Sequence, residues 1–328
     1  MERWLTYDQI SLIPTQVSTL QHRAEADLSV KFGPAQLRIP IIAAPMPDVS
    51  NGLMADKLWE LGSLGWMHRF QSPTQQIDQI KDYFGAKDGD KYGVAIGLSD
   101  RADILYACGA RIFCIDTANG ANKMVERAIK DMKDRYPDIF IVTGNVASHE
   151  AFYALEDWGA DAIRVGIAGG SVCETRTETG VYSPMASGIL DVQGLTDRKH
   201  GVLTERFGNR KALLIADGGI KTPSDMCKAL ALGADLVMAG GIFGGAKESP
   251  GEVLKIDGKL FKILRGAASY SVQNGNSGYI EGAETIVPYQ GSVEKVINRF
   301  AAGLRSSMSY MNARTLDEYR RNVKVVEI

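Results

Sequence analysis

The feature that most constrains the fold is a series of eight short apolar, β-rich segments, each followed by a longer stretch with helical periodicity. These segments are Ile39–Pro45, Leu64–Phe70, Tyr92–Gly97, Arg111–Asp116, Ile139–Asn145, Ala162–Ile167, Leu213–Gly219 and Leu236–Gly241. Many are apolar almost throughout, which is typical of parallel strands covered by helices on one face and by a barrel interior on the other. The pattern predicts an α/β protein that folds as a single (β/α)8 TIM-barrel domain over residues 1–328.

An open, doubly wound parallel sheet is the alternative that this alternation leaves open. Such sheets usually carry the dinucleotide-binding pattern G-x-G-x-x-G directly after the first strand. The pattern does not follow Ile39–Pro45 in this chain. Its absence favours the barrel.

Composition and charge narrow the range of partners that the chain is expected to bind. The formal net charge is −2 and no run of lysine or arginine stands out, so neither nucleic acid nor an anionic membrane surface is expected. The chain has no apolar leader and no run of ~18 apolar residues, which predicts a cytoplasmic protein. Four scattered cysteines predict reduced thiols, and four histidines without ligand spacing predict no metal site.

Two long segments interrupt the alternation, Gly166–Val192 after the sixth predicted strand and Gly266–Gly291 after the eighth. Ligands of a (β/α)8 barrel bind at the carboxyl ends of its strands. Long structureless loops in a compact domain usually serve as lids or binding loops. Both segments are therefore expected to border the site.

The first of these segments carries a candidate nucleophile. Glycines between Gly166 and Gly170 leave main-chain N–H groups free to hold an oxyanion, and the Ser171 hydroxyl can donate to the same group. A positive nest of this kind favours the thiolate of a nearby cysteine, which makes Cys173 the candidate. A flexible turn around a buried thiol is the other interpretation of the same residues.

Two aspartates end predicted strands and point to ligand hydroxyls. Asp217, in Asp217-Gly218-Gly219, is placed to accept hydrogen bonds from a ribose, and Gly240-Gly241 ends the next strand, where barrels usually hold phosphate. Asp116 is placed to bind a second ligand, for instance a nicotinamide ribose. For each aspartate the alternative is a turn or helix cap.

Several motifs, in their order along the chain, resemble the IMP dehydrogenase/GMP reductase family. The resemblance extends from Leu5-Thr6-Tyr7-Asp8 to Gly303-Leu304-Arg305-Ser306-Ser307-Met308, which is nearly the whole chain. Its most specific motifs are Gly144-Asn145-Val146, Gly159-Ala160-Asp161-Ala162, Gly170-Ser171-Val172-Cys173 with Thr175-Arg176, Asp217-Gly218-Gly219 and Pro250-Gly251-Glu252.

The resemblance implies a tetrameric enzyme that binds a purine nucleotide monophosphate beside a nicotinamide cofactor. It implies Cys173 as nucleophile, with Thr175 and Glu281 assisting proton transfer. It implies substrate contacts from Met46, Ser171, Asp217, Gly219, Gly240, Gly241, Gly266 and Ala267, and cofactor contacts from Asp116, Thr117, Asn145 and Gly166.

Within the family the chain looks more like the reductases, which implies NADPH-dependent conversion of GMP to IMP and ammonia. Dehydrogenases usually insert a regulatory domain between the second and third strands, where this chain has only residues 71–91. They also carry an Arg-Tyr pair on a flap, and none occurs between Ser269 and Glu281.

Departures from the family pattern keep other functions open. Ala168-Gly169-Gly170 stands where the family has Gly-Pro-Gly, and Ala267-Ala268-Ser269 where the reductases have Met-Ser-Ser. A dehydrogenase, or an enzyme acting on a modified or deoxy purine nucleotide, is the main alternative. A flavin-dependent barrel and a non-catalytic nucleotide sensor are the remaining ones.

Overall fold

The computed structural model describes residues 3–98, 101–194, 210–272 and 281–328. The described strands are β1 (Ile10–Pro14), β2 (Val30–Phe32), β3 (Ala35–Leu37), β4 (Ile41–Ala43), β5 (Trp66–Met67), β6 (Gly93–Ile96), β7 (Ile112–Asp116), β8 (Phe140–Val146), β9 (Ala162–Val165), β10 (Leu213–Asp217), β11 (Leu236–Ala239), β12 (Leu254–Ile256), β13 (Lys259–Arg265), β14 (Glu284–Pro288) and β15 (Val323–Glu327).

The described helices are α1 (Gly52–Glu60), α2 (Pro73–Tyr83), α3 (Ala102–Ala107), α4 (Lys123–Arg135), α5 (His149–Asp157), α6 (Thr175–Thr179), α7 (Met185–Val192), α8 (Pro223–Ala231), α9 (Gly241–Gly244), α10 (Glu294–Tyr310) and α11 (Leu316–Asn322). Two short 3-10 helices, Tyr7–Gln9 and Arg23–Glu25, precede the barrel. None of the described helices is both long enough and apolar enough to cross a membrane.

Strands β4 to β11 form one eight-stranded parallel sheet in the order β4-β11-β10-β9-β8-β7-β6-β5. Its two edges meet where Ile42 bridges Leu64 in parallel and Ala43 N donates to Leu64 O over 3.1 Å. Closure excludes the open sheet and confirms the (β/α)8 barrel. Seven of the eight predicted segments contain one of these strands completely, and the eighth, Ile139–Asn145, contains all of β8 except its last residue, Val146.

Apolar residues on both faces of the strands produce two layers of core. Along β10, Ile215 packs in the barrel interior, while Leu214 and Ala216 pack in the outer layer with helix residues such as Met226. Cys114 of β7 lies in the interior, as expected for a core cysteine. Burial raises the pKa of its thiol to about 12, so it stays protonated.

The prediction that the two long segments are structureless was wrong. Gly166–Val192 contains α6 and α7, and α7 buries Met185, Ile189 and Val192 against the barrel. Serine and glycine residues interrupt the apolar pattern of α7, which hid its periodicity. In the second segment β14 pairs with β13, and β13 with β12, in an antiparallel sheet, while residues 273–280 lie outside the described ranges.

Between β5 and β6 the chain contains α2 and short connections, in a stretch that is described throughout. Helix α2 begins at a capping box in which Ser72 and Gln75 bond each other's main-chain N–H groups, with Pro73 as its first residue. This segment therefore has no room for an inserted domain.

Candidate active site

A cavity of about 1030 Å³ lies at the carboxyl ends of the barrel strands. Its volume is at the upper end of the range of ~300–1,000 Å³ common for small-molecule sites. Every residue predicted for the site lines it, namely Met46, Asp116, Thr117, Asn145, Gly166, Ser171, Cys173, Thr175, Asp217, Gly219, Gly240, Gly241, Gly266, Ala267 and Glu281. The structure thus brings together side chains that are far apart in sequence.

Cys173 is half-buried on the wall of this cavity. Its Sγ atom lies 3.3 Å from Oγ1 of Thr175, the first residue of α6. The thiol is therefore open to a ligand and has a hydroxyl group as its immediate neighbour. This excludes the interpretation of Cys173 as a thiol enclosed in a packed turn.

Main-chain pairing brings Glu281 to the same wall. Cys173 forms an antiparallel bridge with Gly282, and Glu174 N donates to Glu281 O over 2.8 Å. One residue further along, Ala283 N donates to Val172 O over 2.9 Å. The segments that carry the predicted nucleophile and the predicted acid are thus joined through backbone hydrogen bonds.

A third segment, Gly266–Ser269, packs against this pair. Gly266 N donates to Ala283 O over 2.9 Å. A Cβ atom on Gly282 would lie only 2.5 Å from Ser269 N, so glycine is required for this close approach. Ala267 and Ala268 of the third segment line the cavity beside Cys173.

The predicted phosphate residues meet at one end of the cavity. Gly240 and Gly241 stand at the start of α9, and a Cβ atom on Gly241 would lie 3.3 Å from Ser171 Oγ. The N–H of Gly219 donates to Gly169 O over 2.9 Å, so this amide ties two loops together. The Gly219 amide is therefore engaged within the protein, while Ser171, Gly240 and Gly241 line this end of the cavity.

Five residues at the ends of β5 and β7 to β10, which we call the strand-end network, share one set of hydrogen bonds: Arg69, Asp116, Asn145, Arg164 and Asp217. Arg164 Nη1 lies 2.6 Å from Asp116 Oδ1, and its Nε and Nη2 lie 2.9 and 2.8 Å from Asp217 Oδ2. Asn145 Nδ2 donates to Asp217 Oδ2 and to Gly166 O, both over 2.8 Å.

The charges of this network stabilise one another. Burial raises the pKa of Asp116, but the positive charges of Arg164 and Arg69 outweigh burial and hold that pKa below its usual value. Burial lowers the pKa of Arg164, and Asp217 and the other neighbouring acids outweigh it, so the pKa ends well above its usual range. Both side chains are therefore ionised at neutral pH.

Neither Asp116 nor Asp217 is the N-terminal cap of the helix that follows it. Asn122 caps α4 and Thr222 caps α8, each through its own side chain. Among the described residues, the protein donors to Asp217 all use Oδ2, which leaves Oδ1 to accept a ligand hydroxyl. Thr117 Oγ1 donates to Gly144 O over 2.8 Å at the same side of the cavity.

Sequence reasoning placed Arg69 at the end of a predicted strand without giving it a role, and it missed four other cationic side chains that line the cavity, Arg164, Lys221, Lys295 and Arg299. Arg164 carried a usable signal, because an arginine in the apolar strand Ala162–Val165 needs buried acidic partners. Lys295 and Arg299 gave none, since they lie on a helix far along the chain. No group of three or more potential metal ligands occurs in the described part of the chain.

The chain matches the model of the IMP dehydrogenase / GMP reductase domain over residues 4–328. It is 34% identical over 327 residues to a GMP reductase of Chromobacterium violaceum, covering 99% of this chain and 98% of that protein. It is 36% identical over 320 residues to a GMP reductase of Lactobacillus gasseri, covering 96% and 92%.

A GMP reductase of Bacillus licheniformis is 34% identical over 328 residues, covering 98% of this chain and 95% of that protein. The motifs that suggested the resemblance and the geometry of the cavity agree with these full-length matches. The chain belongs to the IMP dehydrogenase/GMP reductase family of oxidoreductases.

Proposed function

We propose that this enzyme catalyses the NADPH-dependent reductive deamination of GMP to IMP and ammonia, within one catalytic domain spanning residues 1–328. The observation that carries the proposal is the placement of Cys173, Thr175 and Glu281 on one wall of the cavity, with the Cys173 and Glu281 segments joined by backbone pairing. The names of the relatives support the choice of reductase over dehydrogenase.

The chemistry divides into two stages at C2 of the purine. The Cys173 thiolate forms a bond to C2, and the exocyclic amine leaves as ammonia after it receives a proton. Thr175, 3.3 Å from the sulfur, passes that proton from Glu281 to the leaving nitrogen. In the second stage a hydride adds to C2 and the C–S bond breaks, which returns the electron pair to sulfur and releases IMP.

The cavity has two sides that suit two ligands. Ser171, Gly240 and Gly241 would hold the nucleotide phosphate, Asp217 Oδ1 its ribose, and Met46 with Gly266 and Ala267 its base. Across the barrel mouth, Asp116, Thr117, Asn145 and Gly166 would hold the cofactor at the ends of β7 to β9. The bound dinucleotide supplies the hydride.

Replacing the nucleophile tests the proposal. The protein is mixed with NADPH and GMP, and the loss of reduced-nicotinamide absorbance and the release of ammonia are followed. Cys173→Ala should lower turnover by at least ~10³-fold while nucleotide still binds. Cys108→Ala is the matched control, because Cys108 is also half-buried but does not line the cavity, and it should react normally.

Normal turnover by Cys173→Ala would remove this residue from the mechanism. Reduction of NAD⁺ in the presence of IMP, with no turnover of GMP, would instead assign the dehydrogenase reaction.

The assembly and location follow from the family resemblance alone. We propose a homotetramer in the cytoplasm. Light scattering on the purified protein checks the first point, and fractionation of the producing cells checks the second.

A further inference from the structure

We propose that Asp48 is a positioning residue for the reaction at Cys173. Its carboxylate fixes Arg265 and, through it, the segment Gly266–Ser269 of the cavity wall. Asp48 and Arg265 lie behind the lining of the cavity and not on it, so they act on the substrate through other residues. The inference rests on the proposed function, since it gives this ion pair a role in that reaction.

The carboxylate of Asp48 holds both the main chain and the side chain of Arg265. Its Oδ2 atom accepts hydrogen bonds from Arg265 N over 2.9 Å and from Arg265 Nε over 2.8 Å. Its Oδ1 atom lies 2.5 Å from Arg265 Nη2. The guanidinium is thus bound by both carboxylate oxygens, which fixes its orientation, and the main-chain bond fixes the last residue of β13 as well.

Asp48 is itself fixed in the loop between β4 and α1. It is 2% exposed, and the turn around it closes through hydrogen bonds to Met46 O from Val49 N and Ser50 N, over 3.0 and 3.1 Å. Met46 lines the cavity at the place proposed for the base. A group that is bound to Asp48 is therefore held in a constant position relative to the Met46 side of the site.

The segment that follows Arg265 lies directly on the segment of the nucleophile. A Cβ atom on Gly266 would lie only 2.6 Å from Val172 O, and Gly266 N donates to Ala283 O over 2.9 Å. Only one peptide bond separates Gly266 from Arg265. A shift of Arg265 is therefore transmitted to the wall that carries Cys173.

The surroundings of Asp48 show which partner depends on it. Among the described residues, every hydrogen bond to its carboxylate comes from Arg265. Burial lowers the pKa of both His68 and Lys262, and the charge of Asp48 acts against burial in both cases. Lys262, however, donates its hydrogen bonds to main-chain carbonyl groups.

The exposure of Arg265 makes the pair open to a clean test. Its side chain is 34% exposed, so the guanidinium can turn to solvent when Asp48 loses its charge. Asparagine at position 48 keeps an oxygen that can still accept from Arg265 N. The variant Asp48→Asn should therefore loosen the segment after β13 without leaving an unpaired cation in the core.

Steady-state kinetics of the full-length protein with GMP and NADPH test the proposal. Asp48→Asn should lower kcat by about 10²-fold, since a misplacement of ~1 Å at the reacting groups has an effect of this size. The KM values for GMP and NADPH should change by less than ~3-fold, because the phosphate and ribose contacts lie on other segments. A loss in kcat without a loss in KM is the signature of positioning.

Variants of Arg265 show whether the effect passes through the ion pair. Arg265→Gln should lower kcat by a factor similar to that of Asp48→Asn, and the double variant should lower it no further. Arg265→Lys keeps the positive charge but cannot bind both carboxylate oxygens in the same way, so its kcat should lie between those of Arg265→Gln and the wild type.

Asp235→Asn is the matched control. Asp235 is also a buried carboxylate that accepts a main-chain N–H, from Leu214 over 2.8 Å, and it pairs with Arg210 and Arg320. It lies directly before β11, at the end of the barrel opposite to the cavity. Its variant should lose stability but keep the wild-type kcat, and circular dichroism checks that each variant is folded at the assay temperature.

Alkylation of Cys173 by iodoacetamide gives a second readout that needs no substrate. It is measured in a Cys108→Ala background, because Cys108 is the other half-buried thiol. Asp48→Asn should raise the rate at least ~3-fold, since the loosened segment covers the thiol less well, and Asp235→Asn should leave the rate unchanged.

Three kinetic results would overturn the proposal: a wild-type kcat in Asp48→Asn, an equal loss of kcat in Asp235→Asn, or additive losses in the double variant. If the wild type does not turn over GMP but alkylation responds to Asp48→Asn alone, the proposed function fails and the positioning of the Cys173 wall stands. If GMP is turned over and neither kcat nor alkylation responds, the positioning role fails by itself.

Discussion

The strand-end network lines the same cavity as three other cations, Lys221, Lys295 and Arg299, which we call the cationic rim, but the charges of the two groups are balanced in different ways. In the network, Arg164 is 7% exposed and each of its ion-pair partners is a strand-end aspartate. In the rim, the three cations are exposed and have no ion-pair partner among the described residues. A buried charge must be neutralised within the fold, so it positions other groups, whereas an exposed cation remains available to a ligand.

The variant Arg164→Met tests this comparison most directly. The variant leaves Asp116 and Asp217 buried without their shared cation, so we expect the free energy of unfolding to fall by about 3–5 kcal/mol. Urea denaturation followed by circular dichroism measures the loss.

Arg135→Met is the matched control for that experiment. Arg135 also bridges two aspartates, Asp103 and Asp131, but its side chain is 40% exposed. The control should therefore lose less than about 1 kcal/mol. Equal losses from both variants would show that burial does not separate the two kinds of arginine.

A smaller effect is expected from His68, a buried base at the end of β5. Burial lowers its pKa from 6.5 to about 4, although Asp48 acts to raise it. Between these two values the unfolded chain binds more protons than the folded chain, so stability is complete above pH 6.5 and falls as the pH drops towards 4. The full loss is about 3 kcal/mol.

Denaturation curves of the wild type and of His68→Gln are compared across this pH range. Their difference gives the contribution of the His68 imidazole to the pH dependence of stability. The variant should show a correspondingly weaker dependence on pH. His22→Gln serves as the control, since His22 is exposed and should leave the dependence in place. A wild-type slope that persists in His68→Gln would contradict the assignment.

The smallest effect on stability is expected from the rim itself. Lys295→Gln/Arg299→Gln removes two exposed charges that no described side chain pairs with, so the free energy of unfolding should change by less than about 0.5 kcal/mol. The same denaturation assay measures it. A loss of several kcal/mol would mean that these cations serve the fold, and it would erase the contrast with Arg164.

The barrel itself could be predicted from sequence, because parallel strands buried on both faces appear as apolar runs of fixed length. All eight runs overlap a strand of the barrel. Helix α7 could not be predicted, because Ser187 and Gly188 interrupt its apolar face and its fit against the barrel becomes visible only in three dimensions.

The location of the cavity could be predicted for a related reason, since the carboxyl ends of barrel strands meet at one mouth. The hydrogen bonds between the polar residues at this mouth could not be predicted. Asp116 and Asp217 were each considered singly, yet they share Arg164, which lies between them in the barrel. Lys295 and Arg299 look like ordinary exposed helix residues until the packing of Gly303 on Pro223 sets the position of α10.

The close packing at Gly282 has a consequence for how an enzyme of this kind can change its substrate preference in evolution. The segments bearing Cys173, Glu281 and Ala267 meet around a position that has no room for a side chain, so they form one block in which a shift of one segment displaces the other two. A substitution in this block therefore disturbs several of the proposed catalytic residues at once. Helix α10 lines the same cavity from outside the block, so substitutions on this helix can alter substrate preference while the proposed catalytic side chains stay in place.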